Sequence, residues 1–482
     1  MRSRAPIYEA LLKYRAENNT LLHMPGHVGG RGFTIEELRT MGTLDFTEVP
    51  GLDDLHSPSG PIQEARELMA QAFGARESFF LVNGATSGIQ AVFLAVAGEG
   101  EPVLVPRNAH RSFYAGLVLS GAMPVYYSGR LMRPWGLVLA VEPEDIAAAM
   151  EQCSDAVAVF LVSPTYYGTT ADVGEIVRLM AAYGKMVLVD EAHGAHFGFH
   201  PRLPAPALLQ GAAAVVHGMH KSLPVMTQGA ALHIGPGFKP VVRLRNAYHL
   251  LTTTSPSYPL LASMDLARCL MVEEGTERLE SVLHLADRYR AKIRVIPGLE
   301  CPGEEMLQAA GVKGYDPLKV LVRVTGLSLT GYQTADLLRE QYRIQVEMAG
   351  EDFILAMFSP GHQEEDWGGF YHALRDISYR YVGTAPGKRL AVPVPPYPRV
   401  EITPRQAYFS PMRRMHLSEV AGQLSAEMVT SYPPGIPCLL PGELITSEMI
   451  DYLYSLRASG CRVQGPDDPS LEYLYVIDNA AD

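Results

Sequence analysis

Between residues 61 and 217 the apolar positions switch repeatedly between two spacings. IQEARELMAQAFG (62–74), SGIQAVFLAVAG (87–98), HRSFYAGLVLSG (110–121) and DVGEIVRLMAAYG (172–184) set apolar residues three and four apart, which predicts helices. Between them lie SFFLV (78–82), PVLVP (102–106), MPVYY (123–127), AVAVFLV (156–162), KMVLVD (185–190) and AAAVVH (212–217). Short, nearly continuous apolar runs of this kind fit strands covered on both faces. Strands alternating with helices predict right-handed βαβ units: an α/β fold with a mostly parallel sheet and helices on both faces. Ligands of such sheets bind beyond the carboxyl ends of the strands. Segments 83–87, 107–110, 163–167, 190–193 and 218–221 occupy those positions.

The pattern differs on either side. A short helix is predicted in PIYEALLKYRAEN (6–18), followed by the glycine-rich HMPGHVGGRGF, read as a flexible loop, and the acidic DFTEVPGLDDLHSPSG. Helical spacing runs long over residues 256–290, and KVLVRV (319–324) and FILAMF (353–358) then read as strands of a second, smaller α/β region. PVPPYP (393–398) has the stiffness of a boundary or linker. The expected organisation is an N-terminal segment (1–60), a large domain (61–290), a small α/β domain (291–392) and a C-terminal α+β domain (393–482).

Composition narrows the function classes. The 482 residues, 47% hydrophobic, are too many for one compact core. No run approaches the roughly 20 apolar residues of a membrane-spanning helix. MRSRAPIYEALLKYRAENN carries charge throughout, unlike a secretory signal, so a cytoplasmic protein with no membrane partner is expected. Cys153, Cys269, Cys301, Cys438 and Cys461 are scattered without CxxC spacing, which suggests neither a disulfide framework nor a zinc site. A formal net charge of −12 disfavours a nucleic-acid partner.

DEAHGAHFGFH (190–200) and HGMHKSLPVMTQG (217–229) hold the candidate chemistry. Asp190, His193 and His196 could be read as metal ligands, but His-x-x-His after a strand lacks the i,i+4 helical register of metalloprotease sites. Packing is the expected use of His196 and His200. Lys221 stands in an almost uncharged stretch, and an amine in an apolar pocket loses its charge and becomes a nucleophile. A Schiff base is the use for such a lysine, and pyridoxal phosphate is the aldehyde that fits. That cofactor wants an anion beside its pyridine nitrogen, where Asp190 is available, and a phosphate site. Gly84, Ala85, Thr86 and Ser87 open a helix after a strand, where free N–H groups and the helix dipole favour phosphate.

Taken together, HMPGH (23–27), LDDLHSPSGPI (52–62), RNAHRS (107–112), SPTYYG (163–168), DEAHGAH (190–196), HKSLPVMTQGA (220–230), TTTSPSYPLLASMDLAR (252–268) and YPPGIPCLLPGE (432–443) carry a resemblance. Nearly the whole chain resembles the Orn/Lys/Arg decarboxylase family in its short bacterial form, pyridoxal-phosphate enzymes of the aspartate-aminotransferase fold. The resemblance implies that Lys221 is the Schiff-base lysine, that Asp190 partners the pyridine nitrogen and that His110 stacks on the ring. It implies phosphate contacts from Ala85, Thr86 and His220, and a contact of His193 with the ring hydroxyl. It further implies a homodimer whose Thr254 and Ser255 reach the neighbouring subunit's phosphate. Two positions depart from the family pattern: Val28 where a lysine is usual, and Gly218 where a serine is common.

The implied reaction is decarboxylation of arginine, lysine or ornithine, with Lys221 and His193 as candidates for proton transfer. Transamination or elimination on the same cofactor, and a non-catalytic cofactor-binding relative, are the alternatives. Transamination normally needs a cation for the α-carboxylate, for which Arg405 and Arg413 are available. The substrate's distal cation needs an acid, and Asp45, Glu48, Asp53 and Asp54 are the obvious source unless that segment is simply solvated.

Overall fold

The computed structural model describes residues 3–129, 131–132, 137–383, 397–432, 436–458 and 462–478. Residues 393–396 of PVPPYP, 433–435 of YPPGIPCLLPGE and Cys461 lie outside them.

Seven strands form the central sheet: β1 (Glu77–Leu81), β2 (Pro102–Pro106), β3 (Met123–Tyr127), β4 (Ala158–Val162), β5 (Met186–Asp190), β6 (Ala214–His217) and β7 (Ala230–Ile234). Their order is β1-β7-β6-β5-β4-β2-β3. Neighbours from β6 to β3 pair parallel, while β7 runs antiparallel to both β1 and β6. The expected α/β fold with its mostly parallel sheet is therefore present. What the apolar pattern did not reveal is β7. His233 interrupts its apolar run, and the ring is buried by stacking on Phe73 and by a 2.8 Å hydrogen bond with Ser78.

The continuous apolar runs serve two cores at once, because successive strand residues point to opposite faces. In β4, Ala158 and Phe160 join Phe93, Phe113 and Tyr248 on one face. Val159 and Leu161 join Ile146, Ile176 and Met180 on the other. The helix Gly84–Val96 sits very close to the sheet: a Cβ on Gly88 would fall 2.5 Å from Leu81 Cδ1. This close packing brings the start of the helix to the carboxyl end of β1.

A 37-residue helix, Tyr258–Arg294, leads away from this sheet, its start capped by the Ser257 hydroxyl. The strands Lys319–Arg323 and Phe353–Met357 then pair antiparallel, with Met348–Ala349 at the edge. A separate small C-terminal domain has its own core of Leu417, Val429, Leu439, Leu453, Leu474 and Val476. Among the described residues no helix is long and apolar enough to cross a membrane.

Candidate active site

The turns after β1, β2, β4, β5 and β6 converge on one cavity of about 290 Å³. Its walls include Gly84, Ala85, Thr86, Asn108, His110, Thr165, Tyr166, Asp190, His193, His220 and Lys221. Eight of the ten site residues expected from sequence are thus accounted for in or beside one space, and the other two lie on the surface, as follows.

Lys221 rides on a single helical turn, Met219–Ser222, directly after β6. Burial lowers its amine below the usual lysine range, while Asp190 and Glu347 pull it back up. Gly218 lies under its methylenes: a Cβ there would be 3.1 Å from Lys221 Cδ and 3.0 Å from the Ala192 carbonyl. The φ of Gly218 is −86°, a conformation open to any residue, so a side chain there would meet close neighbours but no backbone strain.

Asp190 ends β5, buried, with one carboxylate oxygen accepting the Ala192 N–H at 3.0 Å. His110 caps the helix Arg111–Ser120: its Nδ1 accepts the Ser112 N–H, which leaves Nε2 to carry the proton of the neutral ring. Burial lowers the His110 imidazole and Asp190 opposes the shift. His220 donates from Nδ1 to the Gly229 carbonyl at 2.9 Å, so its Nε2 is left for a ligand.

His193 is held by amines on both sides. Its Nε2 lies 3.1 Å from Lys221 Nζ and its Nδ1 lies 2.9 Å from Lys319 Nζ. Burial, then Lys319, then Lys221 hold this imidazole well below the ordinary histidine range, so the ring is neutral. Tyr166 packs 4.5 Å from it, centroid to centroid.

At the phosphate end, Ala85 and Thr86 line the cavity at the start of a helix that has no side-chain cap. Ser87 does not bring its hydroxyl there: it is buried and donates to the Gly84 carbonyl at 2.9 Å, closing the first turn. Thr254 and Ser255 are exposed and do not line the cavity of their own chain. They lie beside its helix, where the Thr253 N–H donates to Asn83 Oδ1 at 3.3 Å.

Three of the four acids of the 45–54 segment make contacts within the fold, and Glu48 is exposed. The Asp53 carboxylate accepts N–H groups from Asp54, Ser59, Gly60, Ile62 and Gln63, so it anchors the helix Pro61–Phe73 and leaves little for a substrate cation. Asp45 pairs with His27 at 3.1 Å and Asp54 accepts the His56 N–H at 2.8 Å. Arg405 bonds the Leu119 carbonyl and Arg413 bonds Gln423, both on exposed surface. Among the described residues no arginine lines the cavity. His196 faces Asp316 at 3.1 Å and His200 bonds Glu280 at 2.6 Å, both outside the cavity wall. No group of three or more His, Cys, Asp or Glu side chains among the described residues is placed to hold a metal ion.

Two groups were not read from the sequence. Lys319 belongs to KVLVRV, an apolar run in which a lysine looks like the solvent-facing end of a strand; it is 4% exposed. Glu443 closes YPPGIPCLLPGE, and its buried carboxylate grips the Arg107 guanidinium through both oxygens. Arg107 also donates to the Cys438 carbonyl at 3.1 Å and lies over the rings of Tyr126 and Tyr397. The C-terminal domain is thereby tied to the turn that carries Asn108 and His110.

Known proteins resemble this chain along nearly its whole length. An arginine decarboxylase of Bacillus anthracis is 37% identical over 477 residues, covering 98% of this chain and 97% of its own. The solved constitutive lysine decarboxylase of Escherichia coli superposes with a TM-score of 0.84 at 20% identity, over 98% of this chain and 82% of that one. A structure described as SPT with PLP matches 66% of this chain and 76% of its own with a TM-score of 0.51 at 18% identity, a likeness of fold alone. The model of the Orn/Lys/Arg decarboxylase major domain matches residues 5–366 and that of the C-terminal domain matches 391–468, so the chain belongs to the Orn/Lys/Arg decarboxylase family.

Proposed function

We propose that this protein decarboxylates a basic amino acid, arginine ahead of lysine and ornithine, using pyridoxal 5′-phosphate bound in the cavity described above. The observation that carries the reading is Lys221, an amine held toward its uncharged form in a closed apolar wall, with the Asp190 carboxylate acting on it across the same space. The donor set suits the cofactor. Lys221 would hold it covalently, Asp190 would face its ring nitrogen, and His110 would cover the ring. The first-turn N–H groups of Ala85 and Thr86, with His220, would take its phosphate. Thr254 and Ser255 of a second copy would complete that phosphate site. When bound, the cofactor supplies an electron sink for the pair left as the bond from Cα to the carboxylate breaks.

The residues of the chain determine which bond breaks and where protons go. Among the described residues no arginine lines the cavity to clamp an α-carboxylate, which favours loss of CO2 over transamination. Converting an amino acid to an amine and CO2 consumes one proton. Lys221 and His193, 3.1 Å apart, are the groups placed to deliver it to Cα. Tyr166 and Val162 keep that wall apolar. The net charge of −12 and the nearby Glu347 favour a cationic substrate by raising its local concentration. Arginine ranks first because the relative with 37% identity is an arginine decarboxylase and the lysine enzyme, aligned by sequence, stands at 24%.

The deciding experiment supplies arginine, lysine, ornithine and norleucine in turn and measures CO2 and amine. Arginine is expected to give agmatine and CO2 in equal amounts, and Lys221→Ala to give neither while melting within a few degrees of the parent. A keto acid product, equal turnover of norleucine, or substantial activity in Lys221→Ala would overturn the reading.

A further inference from the structure

A backbone carbonyl settles where the ring of His220 keeps its hydrogen. Nδ1 lies 2.9 Å from the Gly229 carbonyl, and a carbonyl can only accept, so Nδ1 carries the hydrogen. In the neutral ring Nε2 is then bare and is itself an acceptor. His220 lines the cavity together with Gly84, Ala85 and Thr86, where the helix Gly84–Val96 starts. A phosphate monoester bound there loses its last hydrogen at about pH 6 and is an acceptor on every oxygen above that. A neutral His220 would therefore set a lone pair against a lone pair.

The rest of the wall does not supply what is missing. Among the described residues no arginine lines the cavity, and Lys221, its one lysine, is committed to the cofactor's aldehyde. The other titratable groups of the wall are Asp190, His110, His193, Tyr166 and Tyr167. Asp190 is an anion. His110 cannot take a second proton, because its Nδ1 accepts the Ser112 N–H at 3.2 Å. Both nitrogens of His193 face lysine amines, and that ring is held well below the ordinary histidine range. The two tyrosines carry no positive charge in any state, and the 224–229 loop that presents the Gly229 carbonyl is uncharged. A phosphate dianion at the helix start would thus lack a cationic side chain unless His220 becomes one, and a buried charge without a partner is costly.

We propose that His220 binds the cofactor's phosphate as an imidazolium, so that phosphate enters this cavity together with one proton. The balance is simple. A phosphate dianion, a neutral ring and one proton from solvent give a charged N–H between Nε2 and a phosphate oxygen, and no other bond forms or breaks. The ring offsets one of the two phosphate charges. The first-turn N–H groups of Ala85 and Thr86 and the helix dipole meet the other. Nδ1 keeps its bond to Gly229 throughout, so the ring does not turn. A hydrogen bond between two charged groups is also stronger than a neutral one. The inference rests on the phosphate lying at this helix start, as proposed above.

Calorimetry counts the proton. The probe is 4′-deoxypyridoxine 5′-phosphate, which has the ring and phosphate of the cofactor but no aldehyde to react with Lys221. It is titrated into the full-length protein freed of cofactor at pH 7.5, about one unit above the ordinary histidine midpoint. Repeating this in buffers of different ionisation heat gives the protons taken up per probe bound. The parent is expected to take up nearly one proton more than His220→Gln, which sets an uncharged N–H near the place of Nε2. Protons exchanged by the probe itself cancel in that difference. Between pH 7 and 8 the ratio of parental Kd to variant Kd is expected to rise, approaching tenfold, as one linked proton requires. Should His220→Gln not fold, His220→Asn keeps a donor to Gly229, lacks Nε2, and is to fall short of the parent by the same proton. A parent and a folded variant that bind the probe with proton counts equal within about 0.2 would overturn the inference and leave the phosphate site standing. A parent that does not bind the probe would overturn both the inference and the placement of the phosphate.

Discussion

A histidine that stays neutral between two lysines leaves a mark on stability. The unfolded chain protonates His193 near 6.5, whereas the folded chain keeps the ring neutral well below that. Below pH 6.5 the unfolded state therefore binds more protons than the folded one, and stability falls as pH falls. One such group contributes at most about 1.4 kcal/mol per pH unit. His233, buried against Phe73, is shifted the same way and adds to the slope. Chemical denaturation of the parent and of His193→Asn at pH 7, 6 and 5 checks this. The variant is expected to lose stability less steeply on the acid side, and parallel curves would show that His193 titrates normally. At this scale the sequence was informative where a residue broke its local pattern. Lys221 stood out in an uncharged stretch, and Asp190 at a strand end. Lys319 did not, because a lysine in an apolar strand reads as its exposed face until a neighbouring element is known to cover it. Ser87 was misleading for a related reason: a hydroxyl at a helix start can serve a phosphate or its own turn, and only coordinates show that it bonds Gly84.

Between elements, a buried two-pronged polar contact joins residues 336 apart in sequence, Arg107 after β2 and Glu443 in the C-terminal domain. Burial pushes the Glu443 carboxyl up and Arg107 opposes it, so the pair depends on its mutual geometry. Removing one partner leaves a buried charge uncompensated, which costs about 3–5 kcal/mol. Glu443→Gln is therefore expected to lower the unfolding free energy, measured by urea titration, by about that amount. It should also weaken cofactor binding, since Arg107 is three residues from His110 on the same turn. Replacing both, as Arg107→Met with Glu443→Leu, is to recover most of the stability. A single variant as stable as the parent would mean that Cys438 and Tyr126 hold Arg107 without Glu443. The element pattern of the large domain was legible because each strand sends alternate apolar residues to two cores, which needs an apolar run that the eye can find. Strand β7 was not, since its buried histidine bonds through Nδ1 to a partner on β1 that lies 155 residues away. Pairings across such distances, like that of Arg107 with Glu443, have no local signature at all.

On the scale of the whole molecule, segments that carry family motifs are displayed on the outside of this chain. Thr254 and Ser255 are exposed, and so are Met24 and Gly26 of HMPGH, next to Leu22 at 92% exposure. Leu250 is 76% exposed beside the Thr254 segment. Large apolar side chains left in water in this way, close to polar groups with no ligand in their own chain, are what a contact with another copy would cover. The proposed homodimer places the 252–258 segment of each copy at the phosphate end of its partner's cavity. Asn83, which bonds Thr253, already sits at that end. Light scattering under assay conditions is expected to give at least twice the 52.7 kDa of the chain. Complementation tests the shared site directly. Lys221→Ala lacks the amine, and a chain with Thr254→Ala and Ser255→Ala lacks the partner contacts, so each homodimer has two damaged sites. In a hybrid, one site combines the intact Lys221 of one chain with the intact Thr254 and Ser255 of the other, and the second site carries both defects. Mixing after dissociation is therefore expected to restore up to about a quarter of parental activity, since half the dimers are hybrids with one sound site each. If the Thr254 and Ser255 double variant is inactive alone and the mixture also stays inactive, the segment acts within its own chain, and the two-copy site is wrong even if the protein dimerises.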